Sequence, residues 1–168
     1  MKIAVIYHSE TGNTARIAER IAEGARTIPG TEARLMGLDG IDEAFLAEAR
    51  AMVIGCPVYA GGLSWQMKRW LDTTKLKLAG KLGSVFATEN HVGGGADIAE
   101  LSMAAGLLVR GCLVYAAGAS LGAPFTHFGA VAVKDGDEAQ KERARVLGSR
   151  VAEKARELWG GAEPMKSL

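Results

Sequence analysis

Five short apolar runs, each followed by a helical pattern, constrain this chain more than anything else in it. The runs are Ile3 to Tyr7, a weaker segment at 31–38, "AMVIGC" at 51–56, "KLGSVFAT" at 81–88 and "CLVYAAG" at 112–118. Most are continuous rather than alternating, which marks strands covered on both faces. Between them lie helical periods. In 13–26, Ile17, Ile21 and Ala25 share a stripe with Ala18 and Ala22, while Arg16, Glu19, Arg20 and Glu23 take the other side. "DGIDEAFLAEA" gives a helix of two to three turns with Asp39 or Asp42 as cap. "SWQMKRWLDTTK" puts Leu63, Met67, Trp70 and Leu71 on one face, 98–109 is a very apolar helix, and 137–159 is a long charged one. Pro57 is expected to stop the third strand, and "VAV" at 131–133 reads as a short extension.

Strict strand–helix alternation predicts an α/β fold, a three-layer sandwich around a five-stranded parallel sheet. At this length the order 2-1-3-4-5 fits, with a ligand crevice outside the carboxyl ends of strands 1 and 3, where the winding reverses. The 168 residues suit one domain, and no repeat or linker divides it; a frayed tail is expected from about residue 160. Cys56 ends strand 3 and Cys112 begins strand 5, roughly 15–20 Å apart along the strand direction, which forbids a disulfide. Neither has metal-ligand spacing. A net charge of +1 and no basic stripe exclude a nucleic-acid surface or polybasic membrane patch. The first apolar run is too short for a signal core or membrane span, so a cytoplasmic location is expected.

The loops leaving strands 1, 3 and 4 meet at the crevice. They are "HSETGNT", "PVYAGGLS" and "TENHVGGGAD", the most Gly- or hydroxyl-rich connections in the chain. The first lacks GxxxxGK[ST] and GxGxxG, so it is neither a triphosphate loop nor a dinucleotide fingerprint. It packs the hydroxyls of Ser9, Thr11 and Thr14 around Gly12 at a helix N-terminus, where backbone N–H groups attract an anion. Simple N-capping by one of these residues is the alternative. The six residues 9–14 hold no Lys or Arg. A phosphate that serves as a handle and is never transferred needs no cation there. Tyr59, one residue past a Pro-Val turn, suits stacking on a flat ring. His91 and His127 either face that ring as proton donors or are solvated loop residues. Trp65 falls off the inner face of its helix. It reads as a subunit contact or substrate wall, or as packed on its own loop.

"SETGNTARIAERIAEG" resembles the FMN-phosphate loop and first helix of the flavodoxin family. "GCPVYAGGLSWQMKRWLD", "KLGSVFATENHVGGGAD" and "GAPFTHFGA" are similar, in order, to segments of the tryptophan-repressor-binding-protein-like NAD(P)H:quinone oxidoreductases. The resemblance implies a flavodoxin-like fold with FMN as cofactor and NAD(P)H as transient electron donor. Ser9, Glu10, Thr11, Gly12, Asn13 and Thr14 would form the phosphate loop. Pro57, Val58, Tyr59, Ala60 and Gly61 would line the ring. Thr88, Glu89, Asn90, Gly93 and Gly94 would flank the ribityl chain and pyrimidine end, with His127 over the flavin. The implied activity is an enzyme passing hydride from NAD(P)H through FMN to a quinone, with Tyr59, His91 and His127 at the reacting end. The alternative is a flavodoxin-type electron carrier that docks other redox proteins. Near-neutral net charge favours the enzyme, since carriers of this fold tend to be acidic. A homo-dimer or homo-tetramer is the expected assembly, although the insertions that build the reductase tetramer are absent.

Overall fold

The computed structural model describes residues 1–160. Five helices cover a parallel sheet on both faces. The elements are β1 (Lys2–Tyr7), α1 (Asn13–Arg26), β2 (Glu32–Gly37), α2 (Glu43–Glu48), β3 (Ala51–Tyr59), β4 (Gly62–Leu63), α3 (Trp65–Thr73), β5 (Leu82–Glu89), α4 (Ala96–Val109), β6 (Leu113–Val114), β7 (Ala130–Val133) and α5 (Glu138–Trp159). The sheet runs β2-β1-β3-β5-β6, which is the predicted order 2-1-3-4-5. Alternate strand residues feed two cores. Ile3, Val5, Ala51 and Val53 pack under α1 and α5. Ala4, Ile6, Met52, Ile54 and Cys56 pack under α2, α3 and α4. Each strand therefore buries both faces, and each had to be apolar without alternation. The predicted frayed tail from about 160 lies almost wholly outside the described residues.

Two strands depart from expectation. Pro57 does not end β3. The strand runs on to Tyr59 and turns back into β4, pairing Val58 with Leu63 and Tyr59 with Gly62. The reason is local. His8 N–H donates to Gly55 O at 3.1 Å, so Gly55 faces β1, and alternation puts Pro57 on that same side. But β1 pairs with β3 only as far as Tyr7–Gly55. Proline's missing donor falls where no neighbouring strand needs it. The edge strand expected at 112–118 is split. β6 pairs with the lower half of β5, and β7, the predicted "VAV" extension, pairs with Phe86 to Glu89. Residues 115–129 loop out between the halves.

The helix caps follow the sequence. Asp42 accepts from Phe45 N–H at 2.9 Å. Asp137 and Gln140 form a capping box. Ser64 accepts from Met67 N–H at 3.4 Å. Cys56 and Cys112 are both buried free thiols, as the strand geometry required.

Helices α1 and α5 approach unusually closely through two glycines. A Cβ on Gly148 would lie 1.9 Å from the carbonyl oxygen of Ile21, and one on Gly24 would lie 1.8 Å from that of Arg145. Alanine is the better helix former by about 1 kcal/mol, yet here backbone would have to move. Gly148→Ala and Gly24→Ala are each expected to lower stability by at least about 2 kcal/mol. Denaturant unfolding checks this, and an unchanged midpoint would contradict the close packing.

Candidate functional site: the crevice at the carboxyl edge

Because β1 stops at Tyr7 while β3 continues to Tyr59, the sheet has a notch at its carboxyl edge. The three predicted loops surround that notch and are tied to one another. Thr14 and Thr88 share a hydroxyl–hydroxyl bond of 2.8 Å, fully buried, joining the first loop to the end of β5. Gly95 lies against Gly61; a Cβ there would come within 2.4 Å of the Gly61 carbonyl oxygen. With φ of 116°, Gly95 also needs the left-handed region. Gln66 at the start of α3 donates to Glu10 at 3.2 Å, closing the remaining side.

The first loop ends at Gly12, the N-cap of α1, in the left-handed conformation with no side-chain cap. Ser9 Oγ accepts from Ala15 N–H at 3.3 Å. The N–H groups of the turn before Ala15 have no intrahelical acceptor and point out of the helix end. Ser9 thus caps one N–H of the helix end from outside, while Gly12 offers no side chain to cap the others. The Thr14 hydroxyl is also bonded to that of Thr88. A cation is present after all. Arg16, one turn into α1, bonds Asn13 Oδ1 at 3.0 Å, and its guanidinium lies 3.8 Å from where a Gly12 Cβ would be. Side chains of the first helical turn lean toward the N-terminus, so a residue assigned to the outer face reaches back over the loop.

Across the notch, Ala60 and Gly61 form the tip of the β3–β4 hairpin, both with positive φ. Tyr59 meets the His8 ring edge-on at a centroid distance of 6.3 Å. Partial burial, then nearby Glu10, raises the Tyr59 phenol above its usual value, so it stays protonated. His8 was not singled out in the sequence. Its Nε2 is buried without a hydrogen-bond partner at the mouth of the notch, 3.8 Å from Glu10.

The third loop is held by Glu89. Its carboxylate accepts from Gly93 N–H at 3.2 Å and Ala96 N–H at 3.1 Å, so it fastens the loop and the start of α4 rather than projecting freely into the crevice. Asn90 and His91 are exposed on the loop's tip. His127 is exposed on the 115–129 excursion, with φ of 27° and its ring stacked on Phe125. It shares a cleft with Glu89, Gly93 and Glu100 behind the third loop. His91 does not line that cleft. Trp65 is 62% exposed and stands outside the packed face of α3. Among the described residues no cluster of His, Cys, Asp or Glu is placed to hold a metal ion, and no helix is long and apolar enough to cross a membrane.

The net charge of +1 hides a segregation. Glu10, Asp39, Asp42, Glu43, Asp97, Asp135, Asp137 and Glu138 stand at the carboxyl edge, against Arg16 and Lys134, with Asp42 paired to Arg34 and Glu138 to Lys141. Lys2, Arg26, Arg50, Lys75, Lys77, buried Lys81 and Arg110 stand at the amino edge, against Glu32, Glu48 and Asp72. The crevice therefore opens on an acidic rim, which the chain total cannot reveal.

The Flavodoxin family profile matches residues 5–145. A flavodoxin of Clostridium saccharobutylicum is 41% identical, over 95% of this chain and 100% of its own. An NAD(P)H dehydrogenase (quinone) of Geotalea daltonii is 34% identical, over 68% of this chain and 70% of its own. The crystal structure of a flavodoxin, WrbA-like protein from Agrobacterium tumefaciens superposes with a TM-score of 0.78 at 26% identity, covering 93% of this chain and 98% of that one.

Glu100 gives the region a pH dependence. It is buried with Oε1 unpartnered, and burial, then Asp97 and Glu89, push its carboxyl from 4.5 up to about 8. Between those values the folded chain keeps a proton that the unfolded chain has lost. Stability must then fall as pH rises across that window and level off above it. Glu100→Gln is expected to abolish this slope, so that its stability relative to wild type improves toward the alkaline end. Urea unfolding at both ends of the window checks this; parallel curves would contradict it.

Proposed function

The chain belongs to the flavodoxin family, and on that footing we propose that it carries FMN in the carboxyl-edge crevice and works as an electron-transfer protein that docks basic redox partners. The observation that carries this reading is the coincidence of an anion-seeking loop and an acidic rim on one edge. A C. saccharobutylicum relative called flavodoxin matches over its full length and 95% of this chain, which supports it. The steering argument drawn from net charge is replaced by one drawn from where the charges stand.

The residues present fit the cofactor. The helix end at Gly12 lacks a side-chain cap, and the His8 ring nitrogen lacks a partner. Both leave polar groups for a ligand to satisfy. The N–H groups of 11–14, the hydroxyls of Ser9 and Thr11 and the Arg16 guanidinium would hold the phosphate. Thr14, bonded to Thr88, acts by fixing the loop. Tyr59 and the hairpin tip would bound one side of the ring, with the loop 89–95 bounding the other. When bound, FMN supplies the redox chemistry; the protein supplies orientation, charge and exclusion of water. Glu89 holds the third loop in place, and the acidic rim orients the incoming partner before contact.

A second reading has a specific observation in its favour. The hairpin and α3, "PVYAGGLSWQMK", resemble the reductase segment, and the G. daltonii relative is called an NAD(P)H dehydrogenase (quinone). On that reading the bound cofactor would supply hydride chemistry between NAD(P)H and a quinone, and Tyr59 with His127 or His91 would supply a proton at the acceptor oxygen.

Steady-state oxidation of NADH and NADPH with benzoquinone separates the two. The carrier reading predicts turnover far below the roughly 10 s⁻¹ of an ordinary enzyme. Sustained turnover at that level would replace it with the reductase.

Arg16→Ala tests the cation in the loop. It is expected to weaken FMN binding by about tenfold and to flatten its salt dependence. Fluorescence titration of the apoprotein reads both, and unchanged affinity would remove Arg16 from the site.

A further inference from the structure

Behind the third loop, on the β7 side of β5, lies a cleft of about 540 Å³, separate from the notch between β1 and β3. Small-molecule sites span roughly 300–1,000 Å³. The rim of this cleft is apolar and open to solvent: Val92 is 89% exposed, Ile98 59% and Phe125 49%. Its floor is polar and unsatisfied. Glu100, early in α4, is 1% exposed, and its Oε1 has no hydrogen-bond partner. Arg143 reaches the same cleft from α5, and its Nε is also buried without a partner. Gly129 keeps the floor open. A Cβ there would lie 2.6 Å from Glu100 Oε1 and 2.1 Å from the Val85 carbonyl oxygen, so any other residue would cover the carboxyl. Buried polar groups are nearly always satisfied, and two orphans on one cavity point to something that fills it.

We propose that this cleft binds a small, uncharged primary carboxamide. Its carbonyl accepts from Arg143 Nε–H, its N–H donates to Glu100, and its apolar body lies between Val92, Ile98 and Phe125. The groups facing the cleft select against the alternatives. Arg143 on α5 disfavours a cation. Glu89 at the end of β5 and Asp97 on α4 disfavour an anion, and the Glu89 carboxylate is already engaged by Gly93 and Ala96 N–H. The Glu100 carboxyl, pushed up to about 8 by burial, then Asp97 and Glu89, is uncharged at neutral pH and asks for no ammonium. His127 stands exposed at the rim with its ring stacked on Phe125, adding flat surface rather than a partner at the floor. What remains is a neutral group that offers a donor and an acceptor from separate atoms to separate partners, and a carboxamide is the smallest such group. The same carboxylates disfavour an amide that carries phosphates, so a nicotinamide dinucleotide is not the ligand. None of this rests on the cofactor proposed for the crevice.

Heteronuclear NMR titration of the full chain with benzamide, and with benzoate and benzamidine as its anionic and cationic counterparts, tests the inference. Benzamide is expected to shift the amide resonances of Gly93, Gly95 and Gly129, with a dissociation constant of about a millimolar, ordinary for so few atoms. Benzoate and benzamidine should each bind at least about tenfold more weakly. Arg143→Met, which keeps the apolar stem, and Glu100→Leu, which removes the carboxyl, should each weaken benzamide about tenfold. Glu100→Gln preserves a donor and an acceptor and should bind it as the wild type does. Should the leucine variant not fold, Arg143→Met alone decides. No shift at those three glycines, equal binding of the three probes, an Arg143→Met chain with undiminished affinity, or NADH moving the same resonances at the same concentrations would each overturn the proposal.

Discussion

A mismatch in strand length organises the functional edge of this molecule. β1 gives up its pairing at Tyr7, while β3 continues to Tyr59. The notch this leaves lies at the point where the winding of the sheet reverses, and three connections converge on it. Pro57 makes the arrangement possible, because its absent N–H faces the notch and asks for no partner. The loops could still drift apart. The buried Thr14–Thr88 bond and the contact of Gly95 with Gly61 keep them together. Each of these ties joins segments distant in sequence, so the site is assembled only when the sheet is complete.

Electrostatics follows from the same edge. Parallel strands and returning helices send every helix N-terminus on this sandwich toward the carboxyl edge, where the dipoles favour anions. Acidic side chains predominate there as well, and basic ones predominate opposite. The helix ends and Arg16 bear on the loop at short range, inside the notch. The carboxylates form the outer rim and act over longer distances. A phosphate held in the loop and a basic protein approaching the rim are thus compatible partners of one surface.

Much of this was legible in the residues. The five apolar runs, the cap at Asp42 (read as Asp39 or Asp42) and the three special loops followed from periodicity and turn chemistry. What escaped depends on three-dimensional neighbours. Arg16 lay on the polar side of a helical wheel, and only side-chain lean brings it over Gly12. Pro57 reads as a stop unless one knows which neighbouring strand has ended. The split of the edge strand into β6 and β7 had one weak signal, the "VAV" run after a long loop. That the Glu89 carboxylate ties its own loop to the start of α4 had no signal in the residues. The near-neutral charge pointed away from a carrier because a sum carries no positions. The excess of apolar residues on α4 was visible, and which of them face outward needed the structure.

The central claim is that the loop from Ser9 to Thr14 is an anchor for a phosphate that takes no part in the reaction. Titrating the apoprotein in parallel with FMN and riboflavin, which differ only in that phosphate, tests it most directly. The account predicts that riboflavin binds at least about a hundredfold more weakly, the loss expected when several charge-assisted hydrogen bonds go unmade. Equal affinity for the two would contradict it.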